Sequence, residues 1–342
     1  MKASIFRRHG GPEVLEYADV PEPHVRANEV LVEVKACALN HLDIFARNGL
    51  PGIEIPLPHI LGNDIVGVVK DVGSLVGWVK VGDEVMIQPG ISCGHCDACL
   101  SGRDNLCREY DIIGYRRDGG YAEFVAVPGV NVFSKPSNLT WEEAAALPLV
   151  TVTAWHMLVT RAKVQPGEDV LVHAAGSGVG SVAIQIAKLR GARVIATASS
   201  DEKLAKARSL GADETVNYST EEWPKEVRRL TSRRGVDVVV EHTGAATWPG
   251  SISSLKNNGR LVTCGATSGY DARTDLRQVF YRHLTILGSF MGSKAELLEA
   301  MKFVEAGKIR AVVDRVLPLS EARAAHSLLE SRAQFGKVVL RP

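Results

Sequence analysis

From residue 169 onward the chain alternates short apolar runs with helix-length stretches, and no other feature constrains its fold as tightly. Asp169-Val170-Leu171-Val172-His173, with three apolar residues at its centre, reads as a strand of the buried type, and a glycine cluster follows it. Val179, Val182, Ala183, Ile186 and Ala187 then recur at helical spacing, placing one apolar stripe on a helix that Gly191 ends. Residues 193–198 predict the next strand, 201–210 a helix stopped by Gly211, and 214–218, 236–240 and 260–264 further strands. Apolar strands separated by helices predict an α/β fold with a doubly wound parallel sheet covered on both faces.

The chain before residue 135 has a different texture. Its apolar runs are short and Val-rich (Val30-Leu31-Val32, Ile65-Val66-Gly67-Val68-Val69, Val85-Met86-Ile87), and Gly and Pro break them at close intervals. Short strands with frequent turn signals predict a barrel-like β domain. Thr140 is placed to cap a helix opening at Trp141. The tail returns to short strands at 311–317 and 337–340 around a helix at 321–331. A chain of 342 residues, 45% of them hydrophobic, can bury its core without disulfide staples. The net charge of +1 argues against a dedicated nucleic-acid binder. No apolar run approaches the ~18 residues of a membrane span, and residues 1–11 lack the apolar run expected of a signal peptide. The expected location is the cytoplasm.

Four of the six cysteines, Cys93, Cys96, Cys99 and Cys107, fall within one short segment. A secreted disulfide framework would spread its pairs along the chain. The x2, x2, x7 spacing instead suits four thiolates around one zinc ion. Four sulfurs leave no open coordination position, so such a site holds a loop and does no chemistry. His95 lies inside the lobe as an alternative ligand that four sulfurs make unnecessary.

The loop His173-Ala174-Ala175-Gly176-Ser177-Gly178-Val179-Gly180 joins strand to helix. Glycines there let the backbone approach a pyrophosphate, and the following helix offers free N–H groups and a positive dipole end. The glycine spelling is irregular, but strand before, helix after and βαβ repetition beyond are the context that a dinucleotide site requires. The end of the second strand, Ala198-Ser199-Ser200, is small and neutral, and Lys203 lies one turn into the next helix. That favours NADPH over NADH, because a 2′-phosphate needs room and a cation where NAD binders place an acid. Asp201 is the counter-candidate, or simply a first-turn helix acid.

The chain resembles the medium-chain dehydrogenase/reductase superfamily, which includes the zinc alcohol dehydrogenases and the quinone oxidoreductases. The resemblance covers essentially the whole chain. It rests on Gly62-Asn63-Asp64 with the apolar run behind it, on Gly82-Asp83-Glu84-Val85, on the cysteine lobe and on Leu147-Pro148 through Thr153-Ala154-Trp155. It rests further on the glycine loop and on Phe335-Gly336-Lys337-Val338-Val339. It implies a GroES-like β-barrel catalytic domain over residues 1–150 with a zinc lobe at 90–110. A Rossmann NADP-binding domain at 151–290 follows, then a segment at 291–342 returning to the catalytic domain, with the active site in the cleft between the domains.

At the catalytic metal the sequence departs from the zinc alcohol dehydrogenases. Asn40 stands where they carry a cysteine ligand, and Asn63 and Asp64 replace a histidine and a glutamate; the last ligand would fall near Leu149. A neutral amide is a poor zinc ligand, and one carboxylate cannot replace several soft donors. The expectation is one structural zinc per chain and no catalytic zinc. Asn40-His41-Leu42-Asp43 resembles the Asn-x-x-Asp element of the quinone oxidoreductases. Asn40, His41, Asn63 and Asp64 are therefore the catalytic candidates, although the amides have a plainer role in satisfying buried backbone groups, and His41 in contacting cofactor phosphates. His59 could in principle complete a weak metal site with Asp64 and His41, but its position before a predicted strand favours a structural role.

The resemblance together with position implies cofactor contacts from Thr153, Gly176, Ser177, Gly178 and Val179. It also implies contacts from Ser199, Lys203 and Tyr218 at the 2′-phosphate, and from Thr243, Gly265, Ala266, Thr267, Phe290 and Met291 at strand ends. Without a metal, neutral donors stabilise a localised alkoxide poorly. Quinones, enones and activated ketones therefore suit the pocket as small-molecule carbonyl substrates. The alternatives are an alcohol dehydrogenase acting on secondary alcohols and bulky ketones, or a non-catalytic NADPH- or nucleic-acid-binding protein. A last strand at 284–290, whose edge relatives pair between subunits, implies a homodimer or homotetramer.

Overall fold

The alternation in the middle of the chain folds into a six-stranded parallel sheet. Its spatial order is Glu214–Asn217, Arg193–Ala198, Asp169–Val172, Val236–Glu241, Leu255–Thr263 and Thr285–Gly288. Chain order reverses between Asp169–Val172 and Val236–Glu241, so the loops leaving their C-terminal ends flank the crevice where doubly wound sheets bind ligands. Leu171, Ile195, Val216, Val239 and Leu261 form the middle of this core. Helix Gly178–Leu189 buries Val182, Ala183, Ile186 and Ala187 of the expected stripe, leaves Val179 half-buried, and also buries Ile184 and Gln185, so it is covered on more than one face. Strand Thr285–Gly288 is an edge, shorter than expected, and Ile286 on it is exposed. Helix Leu276–Tyr281 buries none of its residues.

The Val-rich runs of the first part of the chain form a mainly antiparallel seven-stranded sheet. Its central strand, Glu29–Ala38, pairs with Asp64–Val72 on one side and with Lys337–Arg341 on the other, and Phe124–Pro128 also pairs with it. Registers Ala38↔Asp64 and Val339↔Ala38 bring three strand ends to one corner. Val32, Leu61, Ile65, Tyr121, Val127 and Leu340 lie in the core around them.

The computed structural model describes residues 1–50 and 52–342. They separate into one unit of Met1–Leu149, Ser293–Leu297 and Ala311–Pro342, and a second of Val150–Gly292 and Leu298–Arg310. The expected return of the chain at residue 291 is thus corrected for 298–310, which belong to the parallel-sheet unit. There the Phe303 ring lies 5.4 Å from that of Trp155. The Gln185 amide also bonds both the N–H and the C=O of Arg310, at 2.8 and 3.0 Å. No described helix is long and apolar enough to cross a membrane.

Candidate active site and zinc lobe

Asn40, Asp64 and Lys337 meet at the corner where the three strands end. Gly62 opens the approach: its φ of +105° is a conformation that glycine adopts freely, and a Cβ there would lie 2.5 Å from the Tyr121 ring. The chain then turns into Asp64, whose side chain is fully buried. Both carboxylate oxygens are engaged. Oδ1 accepts the Leu149 N–H at 2.7 Å, in the first turn of helix Pro148–Trp155, where N–H groups lack intrahelical partners. Oδ2 accepts Asn40 Nδ2 and Lys337 Nζ, both at 2.9 Å. The Lys337 ammonium also donates to Asn40 Oδ1 and to the Leu39 carbonyl, each at 2.6 Å. An ammonium has three N–H donors and no acceptor, so it fixes the orientation of the Asn40 amide.

Asn63 is wholly buried, its Nδ2 donating to the Ile113 carbonyl at 2.7 Å while its Oδ1 has no partner among the described residues. Of the four catalytic candidates, Asn63 and Asp64 are sealed, Asn40 is 7% exposed, and His41 at the start of helix His41–Asn48 is half-buried. His59 is structural: its Nε2 lies 3.3 Å from the Gly114 carbonyl, and its Nδ1 faces Asp118. Lys337 carries no role in the sequence reading. The signal was one cation opening an otherwise apolar strand, Lys337-Val338-Val339-Leu340, that is buried throughout.

Behind this corner Asp43 is also fully buried and accepts the Asn40 and Gly62 N–H groups at 2.7 and 3.1 Å and the Tyr121 hydroxyl at 3.2 Å. Burial raises its carboxyl to about 7, against the pull of those donors.

The four cysteine sulfurs lie within 4.8 Å of one another. Cys99 Sγ is 3.8 Å from Cys93 Sγ and 3.6 Å from Cys96 Sγ. A tetrahedron with Zn–S bonds of ~2.3 Å has S···S edges of ~3.8 Å, so the donor set fits zinc. Backbone N–H groups of Cys93 and Glu109 point at Cys107 Sγ, and that of Cys96 at Cys93 Sγ, at 3.4–3.5 Å. N–H donors from His95 and Cys96 pull the Cys93 thiol down to about 7. Among the described residues the only other group with three candidate ligands in reach, Cys93, His95 and Glu109, is in the same lobe.

The cofactor candidates gather at the C-terminal edge of the parallel sheet. Ser177 caps helix Gly178–Leu189 by accepting the Gly180 N–H at 2.9 Å, and a Cβ on Gly180 would lie 2.3 Å from the Ala174 carbonyl oxygen. This is the close strand–helix approach that a dinucleotide loop needs. Ser199, Lys203 and Tyr218 follow the ends of two adjacent strands, where the Tyr218 N–H bonds the Ala198 carbonyl and Ser219 Oγ the Ser199 carbonyl. The counter-candidate Asp201 is turned to Asn217 Nδ2 at 2.9 Å. Thr153 Oγ1 contacts Met291 Sδ at 4.0 Å. Gly265, Ala266 and Thr267 follow Leu255–Thr263, Thr243 follows Val236–Glu241, and Phe290 is exposed beyond the edge strand.

The chain matches the alcohol dehydrogenase GroES-like domain family over residues 26–137 and the zinc-binding dehydrogenase family over residues 178–306. It is 35% identical to an alcohol dehydrogenase of Geobacillus stearothermophilus, over 100% of this chain and 99% of that one. A crotonyl-CoA carboxylase/reductase of Cereibacter sphaeroides is 32% identical over 94% of this chain and 82% of its own length. Among solved structures, an NAD-dependent alcohol dehydrogenase superposes with a TM-score of 0.97 at 55% identity, covering 100% of both chains. With both domain families matched in order and relatives aligned from end to end, the chain belongs to the medium-chain dehydrogenase/reductase superfamily of oxidoreductases.

Proposed function

We propose that the protein is an NADPH-dependent reductase of carbonyl and conjugated carbonyl compounds that works without a catalytic zinc and holds one structural zinc in its cysteine lobe. The observation that carries the reading is the donor set at the strand corner. Asn40, Asn63 and Asp64 supply two amides and a carboxylate already neutralised by the Lys337 ammonium, with neither thiolate nor imidazole among them. Such a set suits zinc poorly.

NADPH, when bound, supplies the hydride. Gly176, Ser177, Gly178 and Val179 would hold its pyrophosphate, and Ser199, Lys203 and Tyr218 its 2′-phosphate. Negative charge then grows on the substrate oxygen and needs donors. Asn40 keeps one amide N–H that Asp64 does not use, and the ammonium 2.6 Å from its carbonyl polarises the amide and strengthens that donor. His41 is the second candidate to touch substrate. Asn63, Asp64 and Lys337 act behind them as positioning residues. An enone or quinone spreads the arriving charge and needs less from neutral donors than a simple aldehyde does, so ethanol is a poor substrate for the reverse reaction.

The names of the relatives favour a second reading, the interconversion of secondary alcohols and ketones on the same residues. Initial rates with a cyclic enone, a quinone, a ketone and ethanol separate the two. For the cofactor, Lys203→Ala should weaken NADPH binding about tenfold, the worth of one charge-assisted hydrogen bond, and leave NADH binding within about twofold. A wild-type preference for NADH would overturn the NADPH assignment.

A further inference from the structure

The two strands flanking the switch point end in a buried polar chain that the reaction itself leaves unused. His173 closes Asp169–Val172, Glu241 closes Val236–Glu241, and Ser251 lies between them on helix Trp248–Ser254. Glu241 and Ser251 are fully buried and His173 nearly so. The Ser251 hydroxyl lies 2.6 Å from Glu241 Oε2 and 2.9 Å from His173 Nε2.

Chemistry fixes the directions of these bonds. A carboxylate only accepts, so Ser251 donates its one proton to Glu241 and must accept from His173. His173 is therefore the Nε2–H tautomer, and its Nδ1, 3.2 Å from Thr197 Oγ1, accepts that hydroxyl's proton. Burial drives the imidazole pKa down to about 4, consistent with a neutral ring.

The rest of the Glu241 carboxylate is taken up by the loop that follows it. Oε1 accepts the Thr243 and Gly244 N–H groups at 2.7 and 3.1 Å. The Thr247 hydroxyl lies 3.0 Å from Oε1 and 2.8 Å from Oε2. On the other side, the His173 carbonyl receives His242 Nε2 at 3.0 Å, and Ala174, the next residue, starts the glycine loop with φ +45°. One buried anion thus ties down the 243–247 loop, while its histidine partner sits at the root of the glycine loop.

We infer that His173, Ser251 and Glu241 are positioning residues that hold the 243–247 loop against the glycine loop, and so fix the nicotinamide half of the dinucleotide without touching it. The inference rests on the dinucleotide reading proposed above. The adenosine half depends on a different place, Ser199, Lys203 and Tyr218, which lets one experiment separate positioning from general loosening.

Equilibrium binding of NADPH and of adenosine 2′,5′-bisphosphate is measured by calorimetry for wild type, Ser251→Ala, Thr247→Val and Thr247→Ser. Loss of one buried hydrogen bond is worth about tenfold. Ser251→Ala and Thr247→Val should each weaken NADPH by about that factor and leave the bisphosphate within about twofold, while Thr247→Ser keeps the hydroxyl and the affinity. Unchanged NADPH binding in both variants, or equal losses for both ligands, overturns the positioning role. The bisphosphate also reports in the same samples that the parallel-sheet unit is folded. If wild type instead prefers NADH and 5′-AMP, the 2′-phosphate assignment fails, and the positioning claim is read from the same variants with that pair.

Discussion

Lys337 lies buried with its ammonium against three oxygens, and its removal would leave Asp64 as an uncompensated charge in the interior. Breaking a buried ion pair by deleting one partner costs about 3 kcal/mol or more. Lys337→Met should therefore lose that much in urea unfolding, and adding Asp64→Asn should restore part of it; additive losses in the double variant would contradict the pairing. Arg47 and His326 form a second buried pair, with Arg47 Nη1 2.9 Å from His326 Nδ1. Burial, aided by the guanidinium, lowers the imidazole to about 3. The folded state then binds fewer protons than the unfolded one between about pH 3 and about pH 6.5, so stability is full above that window and is lost as pH falls through it. The stability difference between wild type and His326→Gln should shrink as pH drops from about 7 to about 4. A constant difference would sink the assignment. At this scale the sequence is a partial guide. The four cysteines were legible because their ligand spacing is local, whereas Lys337 is 273 positions from Asp64 and meets it only through strand register.

The three central strands of the parallel sheet were legible for a related reason: they are buried along almost their whole length, so their sequences are mostly apolar, with Thr197 and Asp237 among the exceptions. The destination of 298–310 was not, because Phe303 and Arg310 choose their unit by contacts with Trp155 and Gln185 far back in the chain. The other end of the sheet makes its own prediction. Among the described residues strand Thr285–Gly288 has one neighbour and an unpaired edge, and Leu276, Phe280, Tyr281 and Ile286 are exposed on or shortly before it in the chain. Such an edge pairs with another chain unless it is protected. We propose that two copies of this chain pair there, and sedimentation velocity should show a dimer or larger assembly for wild type and a smaller species for Ile286→Lys. Identical sedimentation of the two proteins would place the contact elsewhere.

For the whole molecule, the proposed division of labour is between a zinc ion that would brace a loop and a corner of amides, carboxylate and ammonium that would do without one. The lobe's sulfurs have the spacing of a closed tetrahedral site, while Asp64 already spends both of its oxygens on the protein's own donors. Zinc stoichiometry of the freshly purified, active enzyme tests this division directly, measured by elemental analysis beside enone reduction before and after exposure to a chelator. One zinc per chain and a reduction rate that survives the chelator are the expected result. A second zinc per chain, whose removal abolishes hydride transfer and whose return restores it, would contradict it.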